Sequence, residues 1–170
     1  MYKLQHVDAN SAKQLSQLWA ESFHQAYSDV HSVDNLAAYC AENYSLEKAQ
    51  AVLCNALARC CIAYREDKPV GFYVLMNQSS PAEFPAFTCE LKQIYILASE
   101  YGHGLGSRLY QDAIASATEM GSDTLWLCVS SINYRAQAFY RKLGFIELGE
   151  GPVINVGSDR LNSLILSKHL

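Results

Sequence analysis

Three β-rich runs stand next to one another in the middle of the chain, at residues 59–65, 69–77 and 88–97, with no helical pattern between them. Strict β-α alternation would put a helix after each strand, so a doubly wound parallel sheet is excluded and a mixed α/β or α+β fold remains. The first two runs are joined by Glu66-Asp67-Lys68, a hairpin-type turn with Pro69 on its far side. The segment from Gln78 to Pro85, rich in Ser and Pro, reads as the clearest loop and links two strands without bounding a domain.

Residues 2–7 alternate as a strand does, and Ser11 with Gln14 has the spacing of a capping box. Leu15, Leu18, Trp19, Phe23, Ala26 and Tyr27 then recur at helical spacing. A second helix begins near Val33 or Asp34 and runs to about Tyr44, and Ser45 caps a third that ends near Leu57. Beyond the central strands, a glycine-rich loop at 101–106 precedes a long helix to about Met120, with Gly121 as its C′ residue. A β-rich run from Thr124 to Val129 and a helix from Asn133 to Gly144 follow, with strands near 145–149 and 161–167. Counting 33–44 and 45–57 together, the order is β-α-α-β-β-β-α-β-α-β-β. No repeat or linker interrupts it, so residues 1–170 are expected to be a single domain.

Half of the 170 residues are apolar and 18% are charged, which is material for a packed core rather than a disordered chain. The net charge is 13 − 17 = −4, which argues against a nucleic-acid partner, since phosphate binding favours a basic surface. The longest apolar run, Val70 to Met76 around Gly71, is far short of the roughly 20 residues of a membrane span. The amino terminus has no hydrophobic signal region, so a soluble, cytoplasmic protein with no membrane partner is expected. The six cysteines show no C-x-x-C spacing and read as reduced, mostly buried thiols. The five histidines are scattered, and no metal is expected.

The chemistry is concentrated after the third central strand. Gly102-His-Gly-Leu-Gly106 lies between a strand and a helix. Glycines there admit positive φ, and the first helical amides lack intrahelical partners and favour phosphate. A dinucleotide fingerprint would need glycine at 107, where Ser107 stands, and a Walker A loop would need Gly-Lys-Ser/Thr. A pyrophosphate-bearing cofactor of another kind fits, and a glycine-rich turn without ligand is the alternative.

The second half of the chain narrows this. Leu91-Lys-Gln-Ile-Tyr-Ile-Leu97, Tyr101-Gly-His-Gly-Leu-Gly106 and Asn133-Tyr-Arg-Ala-Gln-Ala-Phe-Tyr-Arg-Lys-Leu-Gly-Phe145 together resemble the two core motifs of the GNAT superfamily of acetyl-CoA-dependent N-acetyltransferases. The resemblance spans roughly residues 59–168. It implies the GNAT fold, a twisted, mostly antiparallel sheet of about six or seven strands, splayed at its centre and flanked by helices. It also implies that the backbone of Ile94, Tyr95 and Ile96 pairs with the pantetheine arm of acetyl-CoA. The loop of Tyr101, Gly102, His103, Gly104, Leu105, Gly106 and Ser107 would cradle the pyrophosphate, and Asn133 and Lys142 would contact the coenzyme. Tyr140 matches the general acid that protonates the departing thiolate, although a core tyrosine packed beside Phe139 is the plainer reading of the same residue. One departure stands out. The loop usually opens on Arg or Gln, and here it opens on Tyr101, so a phosphate-facing side chain is missing.

An amine with a pKa near 10.4 is neutral in only about one part in a few thousand at pH 7, a gap of roughly 4–5 kcal/mol. A base, a water chain or desolvation must close it. Glu90, at the start of the third run, is the candidate base or water-ordering group, with a solvated strand-end carboxylate as the alternative. Residues 1–50 carry six acids against three bases, together with Trp19, Phe23, Tyr27, Tyr39 and Tyr44. That combination suits a cation, through carboxylates and ring faces, or is an ordinary amphipathic surface. Glu21, Phe23 and Tyr27 are the candidate acceptor-binding residues. The runs Glu21–Tyr27, Asn35–Tyr39, Glu90–Tyr95 and Gly157–Asp159 are similar to PaiA-type polyamine N-acetyltransferases. The expected acceptor is thus a small-molecule amine, spermidine or spermine first, attacking directly in a ternary complex. A protein N-terminus or lysine side chain is the rival acceptor, and a non-catalytic acetyl-CoA-binding module the second rival. A covalent route through Cys128 lacks a histidine partner in the sequence. A homodimer is an assembly the resemblance allows, with no interface signal in the sequence.

Overall fold

The computed structural model describes residues 1–81 and 88–170; the expected loop positions 82–85 lie outside them. Strand β1 (Tyr2–His6) is followed by α1 (Ala12–Tyr27), α2 (Val33–Asn43) and α3 (Leu46–Leu53). Strands β2 (Ala58–Arg65), β3 (Lys68–Asn77) and β4 (Cys89–Ile96) then run without an intervening α-helix among the described residues, in keeping with the sequence reading. The second half contains α4 (Leu105–Glu119), β5 (Thr124–Ser130), α5 (Tyr134–Lys142), β6 (Ile146–Glu150), β7 (Ile154–Val156), β8 (Asp159–Leu161) and β9 (Ser163–His169). No helix among the described residues is long and apolar enough to cross a membrane.

Seven strands form one sheet in the order β1-β2-β3-β4-β5-β9-β6, antiparallel except at β4 and β5. Along β2 and β3, alternate residues enter two cores. Cys61, Ala63, Tyr73 and Leu75 face one side with α4, while Cys60, Ile62, Phe72 and Val74 face the other with α1. Burial on both faces is why these two runs read as continuous rather than alternating hydrophobicity. The β2–β3 turn places Glu66 and Asp67 at φ of 50° and 62°, the two-residue turn whose twist matches paired strands.

Helix starts follow local chemistry, with one correction. The side chains of Ser32, Ser45 and Asn133 accept amide hydrogen bonds as N-caps of α2, α3 and α5. Ser11 makes no such bond, so the expected capping box is absent. A 3-10 turn capped by Asp8 precedes α1, and Gln14 Oε1 instead accepts from the Tyr64 hydroxyl at 2.5 Å. Helix α3 ends at Leu53, short of the expected Leu57, where the Asn55 side chain accepts from Leu57 N at 2.9 Å. The small β7–β8 hairpin, paired from Ile154↔Leu161 to Val156↔Asp159, was not among the predicted elements.

Candidate active site

The site originates in a defect in the sheet. Strand β4 pairs with β5 only at Cys89↔Leu125 and Glu90↔Trp126, and beyond that point the two strands separate. The pairing of β4 with β3 shifts register at the same place, from Leu75↔Leu91 to Val74↔Gln93, which leaves Lys92 as a bulge. From Leu91 to Ile96 the β5-facing edge of β4 therefore has backbone groups free to bind an extended ligand as an added strand. A groove of about 430 Å³ runs along this edge, lined by Ile94, Tyr95, Ile96, Tyr101, Gly106, Asn133, Arg135, Phe139 and Tyr140 together with the end of α1.

At one end of the groove lies the glycine loop. Gly102 and Gly104 take φ of +80° and +77°, and a Cβ at either would meet nothing. It is the backbone conformation that selects glycine there, not crowding. Gly104 is the N-cap of α4 and makes no side-chain capping bond, so the first amides of the helix, at Leu105, Gly106 and Ser107, face outward without intrahelical acceptors. A Cβ on Gly106 would come within 3.8 Å of Phe139 and would take space from the groove. This donor set, on a free strand edge, fits a ligand with an extended arm and a phosphate group.

On the other side of the β4–β5 separation is a second, partly enclosed cavity of about 210 Å³. Phe23, Tyr27, Tyr39, Tyr44, Tyr95 and Tyr140 line it, with Ile154, Val156 and Leu161 of the β7–β8 hairpin closing one wall. The rings pack closely. Phe23 stacks on Tyr39 with centroids 4.6 Å apart and lies 4.7 Å from Tyr27. Tyr140 lines both the groove and the cavity, together with Ile94, Tyr95, Asn133 and Ala136. Burial, then Tyr27, pushes the Tyr140 phenol above its ordinary value, so it is a protonated donor at neutral pH. Cys128 also lines the cavity, where burial and then Glu90 push its thiol up. A thiol so held is a poor nucleophile.

A family model described as the acetyltransferase (GNAT) family matches residues 13–145. The chain belongs to the GNAT acetyltransferase family. An uncharacterized N-acetyltransferase of Mycobacterium bovis is 24% identical over 159 residues, covering 94% of this chain and 97% of the relative. One from Lactobacillus delbrueckii is 33% identical over 81 residues, 48% of this chain and 46% of the relative. Among solved structures, the PaiA N-acetyltransferase of Thermoplasma acidophilum, in complex with coenzyme A, superposes with a TM-score of 0.80 at 19% identity. That match covers 100% of this chain and 99% of that one. The YncA protein of Salmonella typhimurium, solved with acetyl-CoA, gives a TM-score of 0.68 at 16% identity, over 100% and 94% of the two chains. These likenesses carry the fold. Family membership makes the chain an acetyl-CoA-dependent N-acetyltransferase.

Within the GNAT framework, most expected site residues converge. Ile94, Tyr95, Ile96, Tyr101, Gly106, Asn133 and Tyr140 line the groove, and Phe23 and Tyr27 line the cavity. Three do not. Glu21 lies exposed on α1, accepts from Gln25 Nε2 at 3.2 Å and borders a separate surface hollow. Lys142 is exposed on the last turn of α5 and lines neither space. Glu90 lines neither space and accepts from Ser79 Oγ at 3.0 Å, with Lys92 Nζ 3.5 Å away. The acidic acceptor pocket expected from the amino-terminal charge is absent among the described residues, because the carboxylates of α1 and α2 point elsewhere and rings form the walls. Sequence reasoning missed Lys92, Arg135 and the hairpin. Arg135 stands inside the quoted motif, but its direction depends on where α5 sits. Away from both spaces, His6, Cys61 and Asp112 bring donor atoms within 4.8 Å of one another.

Proposed function

We propose that this chain acetylates the primary amine of a small molecule in a ternary complex, with acetyl-CoA along the free edge of β4 and Tyr140 as general acid. The single observation that carries this reading is the position of Tyr140, a protonated phenol on the wall shared by groove and cavity. Acetyl-CoA supplies the activated acyl group. Ile94 and Ile96 hold its arm through backbone hydrogen bonds, and the amides at the start of α4 hold the pyrophosphate. The solved neighbours with coenzyme A or acetyl-CoA bound support that assignment.

Two protons must leave the incoming ammonium. The first goes before attack, and the ring-lined cavity favours that loss because desolvation lowers the pKa of a cation. The second leaves as the carbon–nitrogen bond forms, through water. Tyr140 then gives its proton to the departing sulfur and recovers one from solvent, so the balance is one amide, one thiol and one proton released.

The acceptor is a slim, cationic aliphatic amine, and a polyamine is the first candidate. Ring faces attract ammonium groups by about 0.5–2 kcal/mol each, which favours an acceptor that carries more than one. A partly enclosed cavity of about 210 Å³ suits a small amine better than a peptide chain, which needs an open groove. Mass spectrometry after incubation with acetyl-CoA and a panel of spermidine, spermine, monoamines and lysine peptides tests the reading. Acetylation of spermidine well above the rest is expected. Peptide-only acetylation would overturn the acceptor assignment.

A further inference from the structure

The groove has a cation that stands in for the side chain missing from its loop. Arg135, on the first turn of α5, lays its guanidinium over the ring of Tyr101, with Cζ 3.5 Å from the ring centroid. Both residues line the groove. Among the described residues, apart from Arg135 its only charged lining residue is Asp29, a carboxylate that repels phosphate. Other cations nearby are turned away. Arg108, on the first turn of α4, donates to Tyr2 O at 3.3 Å and sits over the Tyr2 ring. Lys142 lines neither space. Among the described residues, Arg135 makes no ion pair and no hydrogen bond through its side chain.

We infer that Arg135, braced on Tyr101, is the phosphate-binding side chain of this enzyme and holds the coenzyme pyrophosphate from the α5 side. The inference rests on the coenzyme placement proposed above. Stacking uses the face of the guanidinium and leaves its in-plane N–H donors free for a forked contact with two phosphate oxygens. An aromatic ring at the head of the loop, in place of a cation or amide, is then a platform rather than a lost contact. The pairing needs both partners. A tyrosine at 101 alone offers one neutral hydroxyl donor and no charge, and an arginine at 135 without the ring would lose its brace.

Isothermal titration of the full chain with coenzyme A, dephospho-coenzyme A and pantetheine separates the possibilities. Arg135→Ala is expected to weaken coenzyme A and dephospho-coenzyme A alike, by about tenfold or more, since a hydrogen bond to a charged group is lost. Pantetheine, which has no pyrophosphate, should bind the variant and the parent equally. Tyr101→Ala should reproduce part of the loss. The double variant Arg135→Ala with Tyr101→Arg should recover most of it by presenting a guanidinium from the loop. An unchanged affinity in Arg135→Ala overturns the inference, as does a loss confined to coenzyme A, which would assign Arg135 to the 3′-phosphate. A parent protein that binds none of the three would instead sink the coenzyme placement itself. Arg135 is exposed, so the variants should fold, and an unchanged thermal midpoint checks that they have.

Discussion

Asn133 Nδ2 donates to the Tyr27 hydroxyl at 3.2 Å, so a single hydrogen bond joins the start of α5 to the end of α1 beside the groove and the cavity. The same side chain caps α5, its Oδ1 accepting from Ala136 N at 3.1 Å. One residue thus sets the helix start and ties it to Tyr27, on the wall of the proposed acceptor cavity.

These two roles separate by mutation. Asn133→Ala loses the cap and the tie. Caps contribute about 1 kcal/mol, so the thermal midpoint should fall by roughly 2–4 °C in a chain of this size. Tyr27→Phe keeps the Asn133 cap on Ala136 N and removes only the hydroxyl that accepts from Asn133 Nδ2, so the helix start should hold while the acceptor KM rises. Calorimetry and steady-state kinetics on the two variants check this, and equal kinetics in Tyr27→Phe and the parent would remove the tie from the functional account.

Tyr140→Phe keeps the ring contacts with Phe139 and Phe145, each at 5.5 Å between centroids, and deletes only the hydroxyl. Turnover should drop by at least about tenfold, within the usual range for a general acid, with coenzyme A affinity nearly unchanged. Because burial raises this phenol, the parent should keep its activity to alkaline pH without a loss assignable to Tyr140. Stopped-flow turnover from pH 6 to 10 supplies both measurements, and undiminished turnover in the variant would exclude the residue as acid.

Much of this arrangement was legible in the residues. The glycine loop and the Asn133 cap announce themselves because each answers a local demand, namely positive φ or a free helical amide, whereas Tyr140 stands out only through the resemblance to the GNAT motif. The acceptor side was not legible in the same way. Glu21 and Phe23 are two apart on α1, which is 200° around the helix, so one faces the cavity when the other faces solvent. The total charge of a segment does not say which face carries it. Likewise, Arg135 acquires its meaning only from Tyr101, 34 positions earlier. The β7–β8 hairpin is too short for a periodic signal. Ser11 and Gln14 match a capping box in spacing, but Tyr64 from the neighbouring strand takes the glutamine.

Glu90 and Lys92 make opposite predictions for a base and for a charge partner. Their heads are 3.5 Å apart, and only Lys92 reaches the acceptor cavity. Neutralising Glu90 in Glu90→Gln leaves that cation uncompensated beside an incoming ammonium. The KM for spermidine should rise a few-fold, as expected for like charges near a surface, with the pH–rate profile in place. Lys92→Ala should lower the same KM. A profile displaced by Glu90→Gln would instead make Glu90 the base.

Acid stability turns on Glu100, which immediately precedes the glycine loop. The carboxylate is buried and accepts from the Tyr2 hydroxyl at 2.5 Å, from Arg65 at 3.1 Å and from Ser99 at 3.2 Å. The Tyr2 hydrogen bond, more than any other contact, holds this carboxyl below its ordinary value, with burial opposing. A folded-state value that is depressed gives stability that is complete above the unfolded value of about 4.3 and lost as the pH falls through the folded value. The protein should therefore lose the contribution of this carboxylate as the pH falls below about 4.3, and the turn carrying Tyr101 should loosen with it. Glu100→Gln should be less stable at pH 7 and show a flatter dependence in the acid range, because that site no longer titrates. Urea midpoints measured from pH 7 to pH 3 decide the matter. Parallel curves for parent and variant would place the acid sensitivity in other carboxylates.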